Sequence, residues 1–70
     1  MASYFKEGNT LNFKGFKGTI IRITETYRKN VIVMKVNEMP KNNPFSNRKI
    51  STIGLFELPD GTLEFMNIIE

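Results

Sequence analysis

The chain has 70 residues, no cysteine and no histidine, and its ten Lys/Arg against seven Asp/Glu leave a net charge of +3. A folded monomer of 8.1 kDa removes only about 60% of its extended surface from water, which allows one small domain and no second core. Disulfides, thiolate chemistry, the usual general base and the commonest metal ligand are excluded at the outset. With 40% apolar and 24% charged residues, the composition is that of a folded domain rather than a disordered tail.

The charge is uneven. Residues 1–35 hold seven Lys/Arg and two acids, a balance of +5, whereas residues 36–70 hold three Lys/Arg and five acids, a balance of −2. Such a division creates a basic patch that attracts polyanions. The opening Met1-Ala2-Ser3-Tyr4-Phe5-Lys6 lacks the basic and apolar regions of a secretory signal. The longest apolar run, Val31-Ile32-Val33-Met34, is far short of the ~20 residues that span a bilayer. Together with the missing cysteine, these features predict a cytoplasmic protein with no membrane partner.

No window keeps a helical apolar period, and short β-rich segments separated by turn residues dominate. Leu11-Asn12-Phe13-Lys14 alternates, with Leu11 and Phe13 on one face. Gly15-Phe16-Lys17-Gly18 reads as a glycine loop. Residues 19–27 read as a strand with Ile21, Ile23 and Tyr27 on one face and Arg22, Thr24 and Thr26 on the other. Arg28-Lys29-Asn30 is the expected turn, with Asn30 tolerating positive φ. Residues 31–36 are apolar on both faces except Lys35, the pattern of a central strand covered above and below.

Residues 38–47 contain Pro40 and Pro44 and predict a loop, because proline lacks the N–H a ladder needs. Phe45 is its candidate anchor. Residues 48–58 read as a fourth strand whose apolar phase shifts around Gly54, predicting a bulge there. Leu58-Pro59-Asp60-Gly61-Thr62 is the strongest local signal. Proline presets the first corner, aspartate suits the second and glycine takes the left-handed position, which makes a tight hairpin into residues 63–69.

The expected fold is all-β, a small five-stranded antiparallel barrel of the SH3-like kind forming a single domain over residues 1–70, with closure hiding the strand edges. Its expected core is Leu11, Phe13, Ile21, Ile23, Val31, Val33, Ile50, Leu55, Leu63 and Phe65. Tyr4 and Phe5 are expected to pack on the barrel floor, since a domain this small needs its aromatics inside.

Residues 13–37, from Phe13-Lys14-Gly15-Phe16-Lys17-Gly18-Thr19-Ile20-Ile21-Arg22-Ile23 through Val31-Ile32-Val33-Met34-Lys35-Val36-Asn37, resemble the KOW motif of ribosomal proteins and transcription elongation factors. Gly18 matches the key glycine of that pattern, and Ile20 and Ile23 fall on its apolar positions. The resemblance covers about a third of the chain and implies an SH3-like barrel that contacts RNA or proteins through its loops. The proline- and asparagine-rich loop and the acidic last hairpin depart from it.

The candidate nucleic-acid contacts are Lys14, Phe16 and Lys17 on the glycine-flanked loop and Arg22, Tyr27, Arg28 and Lys29 on the next strand and its turn. Basic side chains neutralise phosphates and an exposed aromatic stacks on an unpaired base. The plainer alternative makes Phe16 and Tyr27 caps over the open ends of the barrel and the lysines merely solvated. The seven acids lie singly, Ser3, Ser46 and Ser51 have no base, and Gly-Phe-Lys-Gly lacks the length and ending of a phosphate loop. No enzyme, cofactor, metal or small-molecule substrate is therefore expected.

Two functions stand nearly balanced. In one the chain is a non-catalytic module that contacts RNA or single-stranded DNA through its basic face. In the other it is a small protein–protein regulator or inhibitor of the phage type, which binds and blocks a host or defence protein. The surface of the second version would be the acidic last hairpin with Glu57, Asp60 and Glu64, the loop over residues 39–47 with Phe45, or an exposed strand edge, with Glu57 and Glu64 facing each other as a solvated or partner-facing pair. Either version is a monomer or a homodimer paired through strand edges.

Overall fold

The computed structural model describes residues 2–41 and 50–69. These residues form five strands, β1 (Thr10–Phe13), β2 (Phe16–Glu25), β3 (Asn30–Glu38), β4 (Thr52–Glu57) and β5 (Leu63–Ile69). Each strand pairs antiparallel with the next, giving one sheet in the order β1-β2-β3-β4-β5. No helix is long and apolar enough to cross a membrane among the described residues.

The sheet is open, and this corrects the expectation of a closed barrel. β1 and β5 lie at opposite edges. β1 has only four residues and pairs with Phe16–Thr19 alone. Beyond it, the chain ahead of β1 covers the edge of β2. Gly8 N–H donates to the Ile20 carbonyl at 2.8 Å, Ile20 N–H donates to the Asn9 carbonyl at 2.9 Å, and Ile23 N–H donates to the Glu7 carboxylate at 3.3 Å. A covered edge has fewer free groups with which to recruit β5.

Two glycines act differently from the expected loop. Lys14 and Gly15 both adopt positive φ, 49° and 91°, as a two-residue hairpin of mirror type requires. β2 therefore begins at Phe16, and Lys17 and Gly18 stand in a strand rather than on a loop. Gly18 sits where the β2–β3 register shifts, and a Cβ there would lie 1.9 Å from the Lys35 carbonyl oxygen. Only a bare backbone fits that approach.

The faces follow from register and bulges. The core consists of Leu11, Phe13, Phe16, Ile20, Ile32, Met34, Ile50, Ile53 and Leu55, with Phe5, Ile23, Val36, Met39, Leu63 and Ile68 packed partly buried against it. Leu11, Phe13, Ile50 and Leu55 take their expected places. Ile21 does not: a register shift between Ile20 and Arg22 turns Ile20 and Ile23 inward together and leaves Ile21 outside, 51% exposed. On β3 the buried residues are Ile32 and Met34, and Val31 and Val33 lie half-buried on the other face. β3 is central, as expected, but among the described residues only one of its faces is fully covered. Phe65 pairs with the buried Leu55 yet stays 40% exposed beside the sheet edge.

The last hairpin matches its local signal. Gly61 has φ 89°, its N–H donates to the Leu58 carbonyl at 2.9 Å, and Leu58 N–H donates to the Thr62 carbonyl at 2.8 Å. The register does shift between Gly54 and Leu55, but the extra residue is Met66 on β5, and β4 itself runs through Gly54 in unbroken alternation, which corrects the expected phase shift within the fourth strand. Of the loop over residues 38–47, residues 42–47 and with them Phe45 lie outside the described residues.

Candidate nucleic-acid interface

The basic residues gather on the β2–β3 hairpin and its outward side. Thr26 closes the connecting turn: its hydroxyl donates to the Lys29 carbonyl, and Lys29 N–H returns to the hydroxyl oxygen at 3.3 Å. Tyr27 and Arg28 are thereby held out at the tip, Tyr27 being 94% exposed. Asn30 is not part of the turn. It opens β3, pairs with Glu25 and is fully buried.

The register sets the outward face of the sheet in rows. Thr24, Val31, Phe56 and Glu64 form one row, Arg22, Val33, Gly54 and Asn67 the next, and Thr19, Lys35, Thr52 and Ile69 a third. Successive rows along a strand are about 6.8 Å apart. Arg22 and Lys35 are exposed. The Lys29 ammonium lies over the Phe56 ring, 3.8 Å from its centroid. A cationic group thus stands in or beside each of the three rows.

The remaining sequence candidates separate. Phe16 is buried at 7% exposure and cannot stack on a base, which removes it from the interface. Lys14 is exposed on the β1–β2 turn with its ammonium 5.4 Å from the Phe13 ring centroid. Lys17 pairs with Glu38 at 3.7 Å, both side chains more than half exposed, a contact worth at most about 1 kcal/mol. It lines a groove of about 460 Å³ between β1 and the end of β3, where Glu38 faces it. The structure therefore places Arg22, Tyr27, Arg28 and Lys29 on one hairpin with Lys35 and Phe56 on the neighbouring outward positions, pairs Lys17 with Glu38 and sets Lys14 on the β1–β2 turn. Period-two reading overlooked Phe56 because Leu55 claims the core. The signal that could have found it was β3, whose outward valines required something apolar beside them.

The acidic set divides further. Glu57 is not solvated and does not face Glu64. It pairs with Leu63 and Asn30, and its side chain is fully buried. Its carboxylate accepts from the Ser3 hydroxyl at 2.6 Å, from the Tyr4 N–H at 2.7 Å and from the Asn30 amide at 3.1 Å. Burial pushes the carboxyl up, but the Ser3, Tyr4 and Asn30 hydrogen bonds outweigh it and hold the pKa below the ordinary glutamate value. Glu57 is thus an internal clamp for residues 3–5, aided by the Ser3 hydroxyl oxygen, which accepts from Phe5 N–H at 2.9 Å. Tyr4 itself is 70% exposed and lies across the last hairpin, its hydroxyl 3.4 Å from the Pro59 carbonyl, while Phe5 packs against the core. The Asn30 side-chain oxygen is buried and has no hydrogen-bond partner among the described residues.

Asp60 accepts from Thr62 N–H at 2.9 Å, and its Thr62 contacts, side chain first and then backbone, lower its pKa. Glu64 is exposed in the Phe56 row. Among the described residues no three of His, Cys, Asp and Glu come together in a group that could hold a metal ion.

No family model matches the chain, and neither the curated proteins nor the solved structures contain a significant match.

Proposed function

We propose that this protein is a non-catalytic binding module that contacts RNA or single-stranded DNA through the basic side of its β2–β3 hairpin. The observation that carries the reading is the projecting turn, where Tyr27 at 94% exposure stands between the exposed face of β2 and Arg28 and Lys29. Residues 14–35 contain six Lys/Arg and a single acid, Glu25. The resemblance of residues 13–37 to the KOW motif supports the same reading, now with Lys17 and Gly18 in a strand. Electrostatics supplies most of the affinity, through roughly three to five phosphates with a log–log salt slope near −0.7 for each.

The test is a fluorescence anisotropy titration of a labelled single-stranded RNA and its DNA counterpart at low and moderate salt. Binding that weakens with salt, and weakens further in Arg28→Glu, is the expected result. Absence of binding at low salt overturns the reading.

A second reading, a regulator that occupies a protein partner, draws on β5. Among the described residues this edge strand has no second neighbour, and it carries half-buried Met66, Ile68 and Ile69 beside exposed Glu64. Such an edge suits strand addition. Affinity capture that returns one stoichiometric protein regardless of nuclease treatment decides for this second reading.

A further inference from the structure

The outward face of the sheet has a pattern the hairpin tip does not explain. β3 is apolar on both sides, yet Val31 and Val33 lie only half-buried on its outer side, with Ile21 exposed next to Arg22. Phe56 lies half-buried beside Val31 in the same row, with the Lys29 ammonium over one face of its ring. Lys29 belongs to the turn between β2 and β3, and its side chain is long and flexible. A cation over a half-buried ring contributes no more than a nucleobase stacked on it, so an arriving base can displace the ammonium, which then serves a phosphate.

We propose that Phe56 is a stacking platform for an unpaired nucleobase, uncovered when Lys29 swings from the ring to the adjacent phosphate. This rests on the nucleic-acid reading above and narrows it to a single-stranded ligand lying on the sheet face. The charges match such a track: Arg22 and Lys35 occupy the next two rows along the strands, and among the described residues neither forms an ion pair. The carboxylate of Glu64 repels phosphate from the β5 side of Phe56, so the backbone runs on the β2–β3 side. A duplex is a poor fit, because its bases are stacked on each other and have no free face to offer a ring on an open sheet.

The test compares four ligands of equal length by anisotropy with the whole protein: a single-stranded RNA, a single-stranded DNA, the annealed duplex and a single strand bearing abasic sites. The expected order is tighter binding of the base-bearing single strands than of the duplex or the abasic strand. Phe56→Leu is expected to lower affinity for the base-bearing strands about tenfold and to leave abasic binding unchanged, while Phe56→Tyr retains the wild-type value. Independently of any variant, the Phe56 ring resonances of the wild-type protein are expected to shift upfield with the base-bearing strand and not with the abasic one. Equal affinity for abasic and base-bearing strands, or unmoved Phe56 resonances at saturation, overturns the stacking site while leaving the electrostatic reading in place. Failure of every strand to bind at low salt overturns both. Sedimentation showing a dimer that Phe56→Leu converts to monomer also overturns the site, since the face then serves a second copy of the chain.

Discussion

The two long hairpins of this sheet use their charges in opposite ways. In the β4–β5 hairpin one acid turns inward, Glu57, fully buried under three hydrogen bonds, while Asp60 secures its own turn through Thr62 and Glu64 stays exposed. In the β2–β3 hairpin the bases turn outward, with Arg22, Arg28 and Lys35 exposed and Lys29 resting on a ring. The acidic half of the chain therefore withholds the charge of Glu57 from its surroundings, and the basic half keeps nearly all of its own exposed. A net charge of +3 understates the field that an approaching polyanion meets on the β2–β3 side.

The largest break in this contrast is expected from Gly18→Val. Its Cβ would meet the Lys35 backbone 1.9 Å away, and forcing β2 and β3 apart costs about 3 kcal/mol or more, read as loss of cooperative unfolding in urea. Glu57→Gln comes next. The new amide would point a donor at the donors of Ser3, Tyr4 or Asn30, and a buried group left unpaired costs about 1–3 kcal/mol. Faster hydrogen exchange at Tyr4 and Phe5 is expected to accompany the loss, with β2–β3 exchange less affected.

The same clamp gives a pH dependence. The folded pKa of Glu57 lies below its ordinary value, about 4.3 for an unfolded glutamate. Its stabilisation is therefore complete above that value and is lost as pH falls through the lower folded pKa. Thermal melts from pH 7 downward are expected to hold until the ordinary carboxylate range and then decline, and Glu57→Gln is expected to flatten this decline.

Smaller still is Asp60→Ala, which removes the acceptor for Thr62 N–H and is expected to lower the melting temperature slightly, with Asp60→Asn restoring most of it. The smallest effect on stability is expected from Arg28→Glu, an exposed tip residue. Its melting curve should match wild type, while its salt slope for single-stranded nucleic acid becomes shallower by about 0.7 for the lost phosphate contact. That pairing of unchanged stability with altered binding separates the outward hairpin from the inward one.

Much of the candidate site was legible in the sequence. Arg22, Tyr27, Arg28 and Lys29 announced themselves by charge and by proximity to a turn. Phe16 did not belong with them, because Lys14 and Gly15 alone complete the hairpin and carry Phe16 straight into a strand that points it inward. Glu57 misled for a related reason. A glutamate beside a hairpin is usually solvated, and only the approach of Ser3 and Tyr4, more than fifty positions away, supplies donors that make its burial tolerable.

The sequence by itself determined what neighbouring residues decide: five strands and the Leu58–Thr62 turn, each written in local backbone preferences. The tertiary structure alone decided which face each strand buries. One extra residue between Ile20 and Arg22 reverses the phase of β2, and the apolar symmetry of β3 leaves its facing to its neighbours. It also decided that the sheet stays open, because closure depends on whether distant edges meet, and here the chain ahead of β1 covers the edge of β2.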